Sequence, residues 1–249
     1  MTEFFFPADI GFYPSIALIA VSAVTSFITA AAGIGGGVVL LAVMAALVPA
    51  QVIIPIHGAV QFGSNAGRTA IMLPHVQWPV LVPFVAGSIL GAALGGLTVV
   101  QFSPGLLKTG LAIFILWSVW VPSFGIGGRL AGFGTGAFSS FLTMFFGATG
   151  PFVSAMVKTL RLGRLEHVAT QSACMVAQHV IKIVVFGLLG FAFAPYLGLI
   201  GAMILSGFVG TVTGKRLLIK MQDAVFHKIL SVLLTLLAAR LFYEGISTL

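Results

Sequence analysis

The sequence predicts an all-α integral membrane protein, and three observations carry that prediction. The 249 residues are 59% hydrophobic and 7% charged, against about 25% charged in an ordinary soluble domain. The few charges are also segregated: no Asp, Glu, Lys or Arg occurs between Asp9 and Arg68, Arg68 and Lys108, Arg129 and Lys158, or Lys182 and Lys215. A helix crossing hydrocarbon needs roughly 20 mainly apolar residues, so the first interval holds two spans and several others one each. Finally, the apolar runs lack the polar residue at every second position that a membrane β-strand shows.

The composition excludes several functions. A net charge of +7 and a pI near 10.1 would suggest nucleic acid in a soluble chain, but here the cations sit in short connections between spans, and no nucleic-acid partner is expected. The one cysteine, Cys174, cannot form an internal disulfide and has no ligand cluster beside it, so neither metal nor cofactor is expected. The N-terminal MTEFFFPADIGFYP lacks the basic start of a secretory signal and offers aromatics to a membrane interface.

About eight helices are expected, in two related four-helix repeats, 1–124 and 125–249, that together make one transmembrane domain. A span at about 14–32 ends in AAGIGGG, where Gly33, Gly35, Gly36 and Gly37 loosen the backbone. Apolar helix flanks and the absence of an acid some 20 residues on argue against a dinucleotide fingerprint. Pro49 and Pro55 interrupt the next apolar run, which predicts a broken element with a helix from about His57 to Leu73. Spans at 80–100 and 104–121 follow, the first with Gly87, Gly91 and Gly95 at steps of four, a face for close helix packing. In the second half Gly132, Gly134 and Gly136 echo Gly33, Gly35 and Gly37, and a helix stops at Gly147 in GATGP. Lys158, Arg161 and Arg164 form a basic connection, and helices at 166–189, 195–214 and 224–243 complete the chain. Four helices per half predict halves that enter the membrane in the same sense. With eight cations in one set of connections and three in the other, both termini are expected outside.

The chemistry concentrates in a duplicated polar stripe. His57, Gln61, Ser64 or Asn65, and Arg68 fall on one helical face, and 110 residues later His167, Gln171, Cys174, Gln178 and Lys182 repeat the pattern. A charge inside a bilayer normally has a partner or a wet cavity. Lys182 either snorkels to a headgroup or attracts an anion; Arg68 is either an anchor at the membrane edge or a bidentate oxyanion ligand. Gln61, Asn65, Gln171 and Gln178 either bond helix to helix or line the same site. Gly35, its echo Gly134, and Thr149 stand where broken helices would offer N–H groups to an anion. His57, His167 and His179 are candidates to carry a coupling proton. The expected partners are thus a small anion, membrane lipid and a coupling proton.

GIGGG at 33–37, HGAVQFGSNAGR at 57–68, GATGPF at 147–152 and ATQSACMVAQHVIKIVVFG at 169–187, in this order, resemble the TauE/SafE sulfite exporter family of bacterial membrane permeases. The likeness runs from about 15 to 243. It implies eight helices in two related halves, termini outside the cytoplasmic membrane, and export of a small sulfur-containing anion such as sulfite, thiosulfate or a sulfonate. An anion channel is the alternative, followed by an intramembrane enzyme built on Ser64, which lacks an acidic triad member in the spans, and a membrane scaffold.

Overall fold

A computed structural model describes residues 2–32, 35–99, 103–121, 130–217 and 223–248. A short α1 (Thr2–Phe5) precedes α2 (Phe12–Ala32), α3 (Gly36–Leu47), α4 (Ala50–Ile71), α5 (Trp78–Val99) and α6 (Pro104–Trp120). The second half holds α7 (Ala131–Phe146), α8 (Gly150–Thr159), α9 (Arg164–Leu188), α10 (Leu197–Leu217) and α11 (Asp223–Ile246). Among the described residues four stretches are long and apolar enough to cross a membrane, Phe12–Ala30, Trp78–Val99, Leu165–Leu188 and Ala194–Thr213. The protein is therefore an all-α, multi-span membrane protein. α4 has the length of a span, but the polar stripe lowers its apolarity.

The chain forms two compact units. One comprises residues 1–57, 102–122 and 193–249. Within it α2 packs on α10 in the same direction: Ser206 Oγ donates to the Ile19 carbonyl at 2.6 Å, and Gly210 faces the Ala23 carbonyl so closely that no Cβ would fit. α6 and α11 run antiparallel, since Lys108 meets Glu244 at 3.2 Å while Trp120 Nε1 donates to Thr235 Oγ1 at 3.0 Å.

The second unit comprises 58–101 and 123–192. Here α5 and α7 run parallel in close contact, because Gly87 and Gly91 lie on the Phe133 and Ala137 carbonyls. This is the close helix approach that the glycine spacing predicts. α4 from Gly58 onward and α9 are antiparallel: Gly58 lies against the end of Lys182, and beyond the end of α4 the Gln77 N–H donates to Thr170 Oγ1 at 3.1 Å.

The expected breaks are hairpins. Gly35 has φ 103° and Gly147 φ 74°, a region that L side chains avoid, and after each the chain turns back. Gly36 packs on Thr25 and Thr29 of α2. Phe152 of α8 stacks edge-on against Phe138 of α7, while Val157 joins Ala131 in one apolar cluster.

Three expectations are corrected. The helix holding the first stripe begins at Ala50 and runs through Pro55 without a break; the carbonyl that proline leaves without its helical donor is that of exposed Gln51. Gly134 lies inside α7, its N–H donating to the Leu130 carbonyl at 2.8 Å, so the opening in this half is at Gly147 and not at the echo of Gly35. The same-sense relation of the halves also fails. α4 and α9, the two stripe helices, are antiparallel, whereas a same-sense repeat would make them parallel.

Candidate functional site

The tip of the α7–α8 hairpin gathers the strongest constellation. α7 ends in Thr143–Phe146 and Gly147 reverses the chain, with Thr143 Oγ1 donating to the Gly147 carbonyl at 2.9 Å. Thr149 is the N-cap residue of α8 and Pro151 occupies the first turn. A helix start leaves its first N–H groups outside its own ladder; here, with Pro151 lacking one, Thr149 and Gly150 hold them.

α9 brings Gln178 and Lys182, one turn apart, to this tip. Gln178 is completely buried. Its Nε2 donates to Ser139 Oγ at 3.0 Å and Ser140 Oγ at 3.1 Å, and its Oε1 accepts from Thr149 Oγ1 at 3.3 Å. Both amide hydrogens are engaged, so Gln178 braces the tip against α7. The Thr149 hydroxyl is aimed at that amide, which leaves its oxygen as an acceptor.

Lys182 is 0% exposed. Its Nζ donates to the Gly147 carbonyl at 3.4 Å, a long contact for a group with three donors. The ion pairs among the described residues are Lys108–Glu244 and Arg240–Glu244. Glu166, the one acid in 58–101 and 123–192, lies sixteen residues away on α9, about 24 Å at the helical rise. A buried ammonium without a carboxylate is costly to keep, and an anion from outside would satisfy it. The lysine stem also needs a gap in the facing helix. Gly58 supplies it: a Cβ there would stand 2.5 Å from Lys182 Cε and 3.3 Å from Nζ.

The other expected residues are placed as follows. On α4, Asn65 Nδ2 donates to the Gln61 carbonyl at 2.8 Å, and buried Arg68 reaches Ser64 Oγ at 3.5 Å through Nη2. Gln171 is buried near the start of α9, one turn from half-buried His167, whose Nε2 lies 3.4 Å from Ser154 Oγ of α8. His179 is buried beside Gln178. His57 Nε2 donates to the Gly37 carbonyl of α3 at 2.9 Å, next to the Gly35 reversal. Ser139 and Ser140 were missed; their signal is a hydroxyl pair in the mainly apolar FSSFLTMFF of α7. Among the described residues no three His, Cys, Asp or Glu groups cluster as metal ligands.

A buried cation, a helix start and neutral donors at a hairpin tip, with no buried Asp or Glu among the described residues, suit a membrane protein that handles anions. The chain matches the sulfite exporter TauE/SafE family over residues 18–241. It belongs to that family, and is a membrane transporter for a small anion such as sulfite rather than an enzyme. No curated protein and no solved structure matches the chain.

Proposed function

We propose that the protein is a carrier in the bacterial cytoplasmic membrane that exports a small sulfur oxyanion by alternating access, holding it at the α7–α8 tip. The observation that carries this reading is the fully buried Lys182 ammonium with only a long bond to a hinge carbonyl. Lys182 supplies the charge, the N–H groups of Thr149 and Gly150 add donors at the positive end of α8, and Gln178 holds the tip in shape. α8 is ten residues long, about 15 Å, which sets the tip near the middle of a hydrocarbon core of about 30 Å. Gln61, Asn65, Arg68 and Gln171 line the route along the α4–α9 pair, Gly35 opens the matching hairpin of the first half, and Gly134 serves packing. Of the histidines, His179, one turn before Lys182, is best placed to carry a coupling proton, with His57 and His167 farther along the two stripe helices.

The architecture behind this reading is an inverted repeat of five helices, α2–α6 and α7–α11, with short α3 and α8 inside each, in place of two same-sense sets of four. Several boundaries support it. α2 and α7 end at 32 and 146, the capping residues of α3 and α8 are 35 and 149, and α4 and α9 begin at 50 and 164, three separations of 114 residues. The parallel pairs α5 with α7 and α10 with α2 are one pairing made twice, and the counterparts α4 with α9 and α6 with α11 are each antiparallel, as an inverted repeat requires. Both termini then lie outside. The inside connections and the helix ends beside them carry Arg129, Lys158, Arg161, Arg164, Lys215, Arg216, Lys220 and Lys228, the outside ones only Lys108 and Arg240, with Arg68 and Lys182 left to the route, a stronger positive-inside bias than eight spans produce. A reporter placed within 122–129 is expected to share the compartment of one within 158–163 and to oppose one fused after residue 249. If the 122–129 reporter sides with the C-terminus, the five-helix inverted arrangement is wrong.

The transport reading is tested by flux in sealed proteoliposomes with sulfite, thiosulfate, sulfoacetate, taurine and sulfate, repeated under imposed proton gradients. Saturable sulfite or sulfonate movement, altered by a proton gradient, is expected; movement no faster than in protein-free vesicles for every anion would overturn it. A rate that rises without saturation would favour the channel alternative.

A further inference from the structure

Resting on the transport reading above, we propose that Arg68 and Ser172 form a second anion station, separate from Lys182 and about 15 Å from it along the α4–α9 pair. Arg68 lies ten residues beyond Gly58 on α4, and Ser172 lies ten residues before Lys182 on α9. Because α4 and α9 are antiparallel with Gly58 facing Lys182, ten residues at the helical rise, about 15 Å, bring Arg68 and Ser172 to a common depth.

Two independent observations mark a binding place there. Arg68 is 9% exposed, and its Nε has no partner among the described residues; its Nη2 reaches Ser64 Oγ only at 3.5 Å. Ser172 is 1% exposed, and its Oγ is likewise buried without a partner, as is Thr69 Oγ1 next to Arg68. A guanidinium in a low-dielectric setting normally engages its donors. A planar donor fork with hydroxyls at its depth matches a tetrahedral or pyramidal oxyanion. Glu166, the only acid of this unit, forms no ion pair with Arg68.

The repeat register makes the second station the counterpart of the first. At 114 residues, Arg68 corresponds to Lys182 and Ser172 to Gly58, so the pair Lys182–Gly58 maps onto Arg68–Ser172 with the helices exchanged. The midpoint falls at Gly63 and Ala177, two small residues where an axis relating antiparallel helices would cross. Arg68 lies one turn from the inner end of α4 and Lys182 about two turns from the outer end of α9. Export then runs from Arg68 to Lys182, each cation serving the side its helix end faces.

Calorimetric titration of the purified full chain in detergent with sulfite, under anaerobic conditions, tests this. The expected result is two sulfite ions per wild-type chain, one per chain for Arg68→Gln and one for Lys182→Met. Ser172→Ala should weaken one of the two sites about fivefold to tenfold while both remain countable, and it serves as the second variant should Arg68→Gln be recovered unfolded. A wild type that binds one sulfite, with Arg68→Gln or Ser172→Ala leaving stoichiometry and affinity unchanged, overturns the second station but leaves the transport reading standing. A wild type that binds no sulfite overturns both.

Discussion

Replacing Lys182 by Met is expected to raise the half-saturating sulfite concentration about 10-fold to 100-fold, or to abolish flux, with little loss of protein from the membrane. The range follows from the roughly 1.5–3 kcal/mol that a hydrogen bond to a charged group contributes. The absence of a folding defect follows from different physics. Lys182 is 0% exposed and meets no carboxylate, so removing its charge relieves a desolvation cost, and an apolar residue of similar length fills the same space. A lysine kept only for structure would give the opposite pattern: flux per molecule unchanged, with altered thermal stability. Measuring flux against membrane abundance and unfolding temperature separates the two, and unchanged concentration dependence in Lys182→Met would remove the cationic site.

How much of this was legible in the sequence depended on what each feature requires. The long helices were, because a span is a matter of about 20 apolar residues; α5 at 78–99 and α9 at 164–188 fall within two residues of the expected limits. The reversals at Gly35 and Gly147 were legible as breaks but not as turns back. A run such as GGVVLLAVMAAL reads the same whether it continues a kinked helix or returns beside it, and only the packing of Gly36 on Thr25 and Thr29 decides. The same-sense relation of the halves rested on counting four helices in each, a count that α3 and α8 change.

The repeat register is hard to read for a subtler reason. A stripe of polar residues at steps of three and four matches itself when slid by one turn, so 110 and 114 align the stripes almost equally well. Only the helix ends discriminate, and these do not show in a periodic pattern. Gln178 shows the limit for individual residues: its place on the polar face was legible, but its engagement with Ser139, Ser140 and Thr149 depends on a hairpin whose fold-back the sequence did not reveal.

Gly58→Val should act on transport through Lys182 alone. A Cβ at Gly58 would stand 2.5 Å from Lys182 Cε, closer than real carbon contacts, and valine adds two methyl groups to it. The obstacle is the end of a flexible side chain and not backbone, so the fold can survive by moving the ammonium away from the Gly147 carbonyl and the start of α8. Gly91 is the contrasting case, because its Cβ would meet the Ala137 carbonyl of a packed helix and the helices themselves would have to part. The expected outcome for Gly58→Val is about a tenfold rise in half-saturating sulfite, near the lower end of what losing a charged hydrogen bond costs. A double-mutant cycle isolates the cause: in a Lys182→Met background, where no ammonium remains to be displaced, Gly58→Val should change the half-saturating concentration less than twofold. If it has the same tenfold effect in both backgrounds, Gly58 acts through helix packing, and the gap it leaves is not what positions the cation.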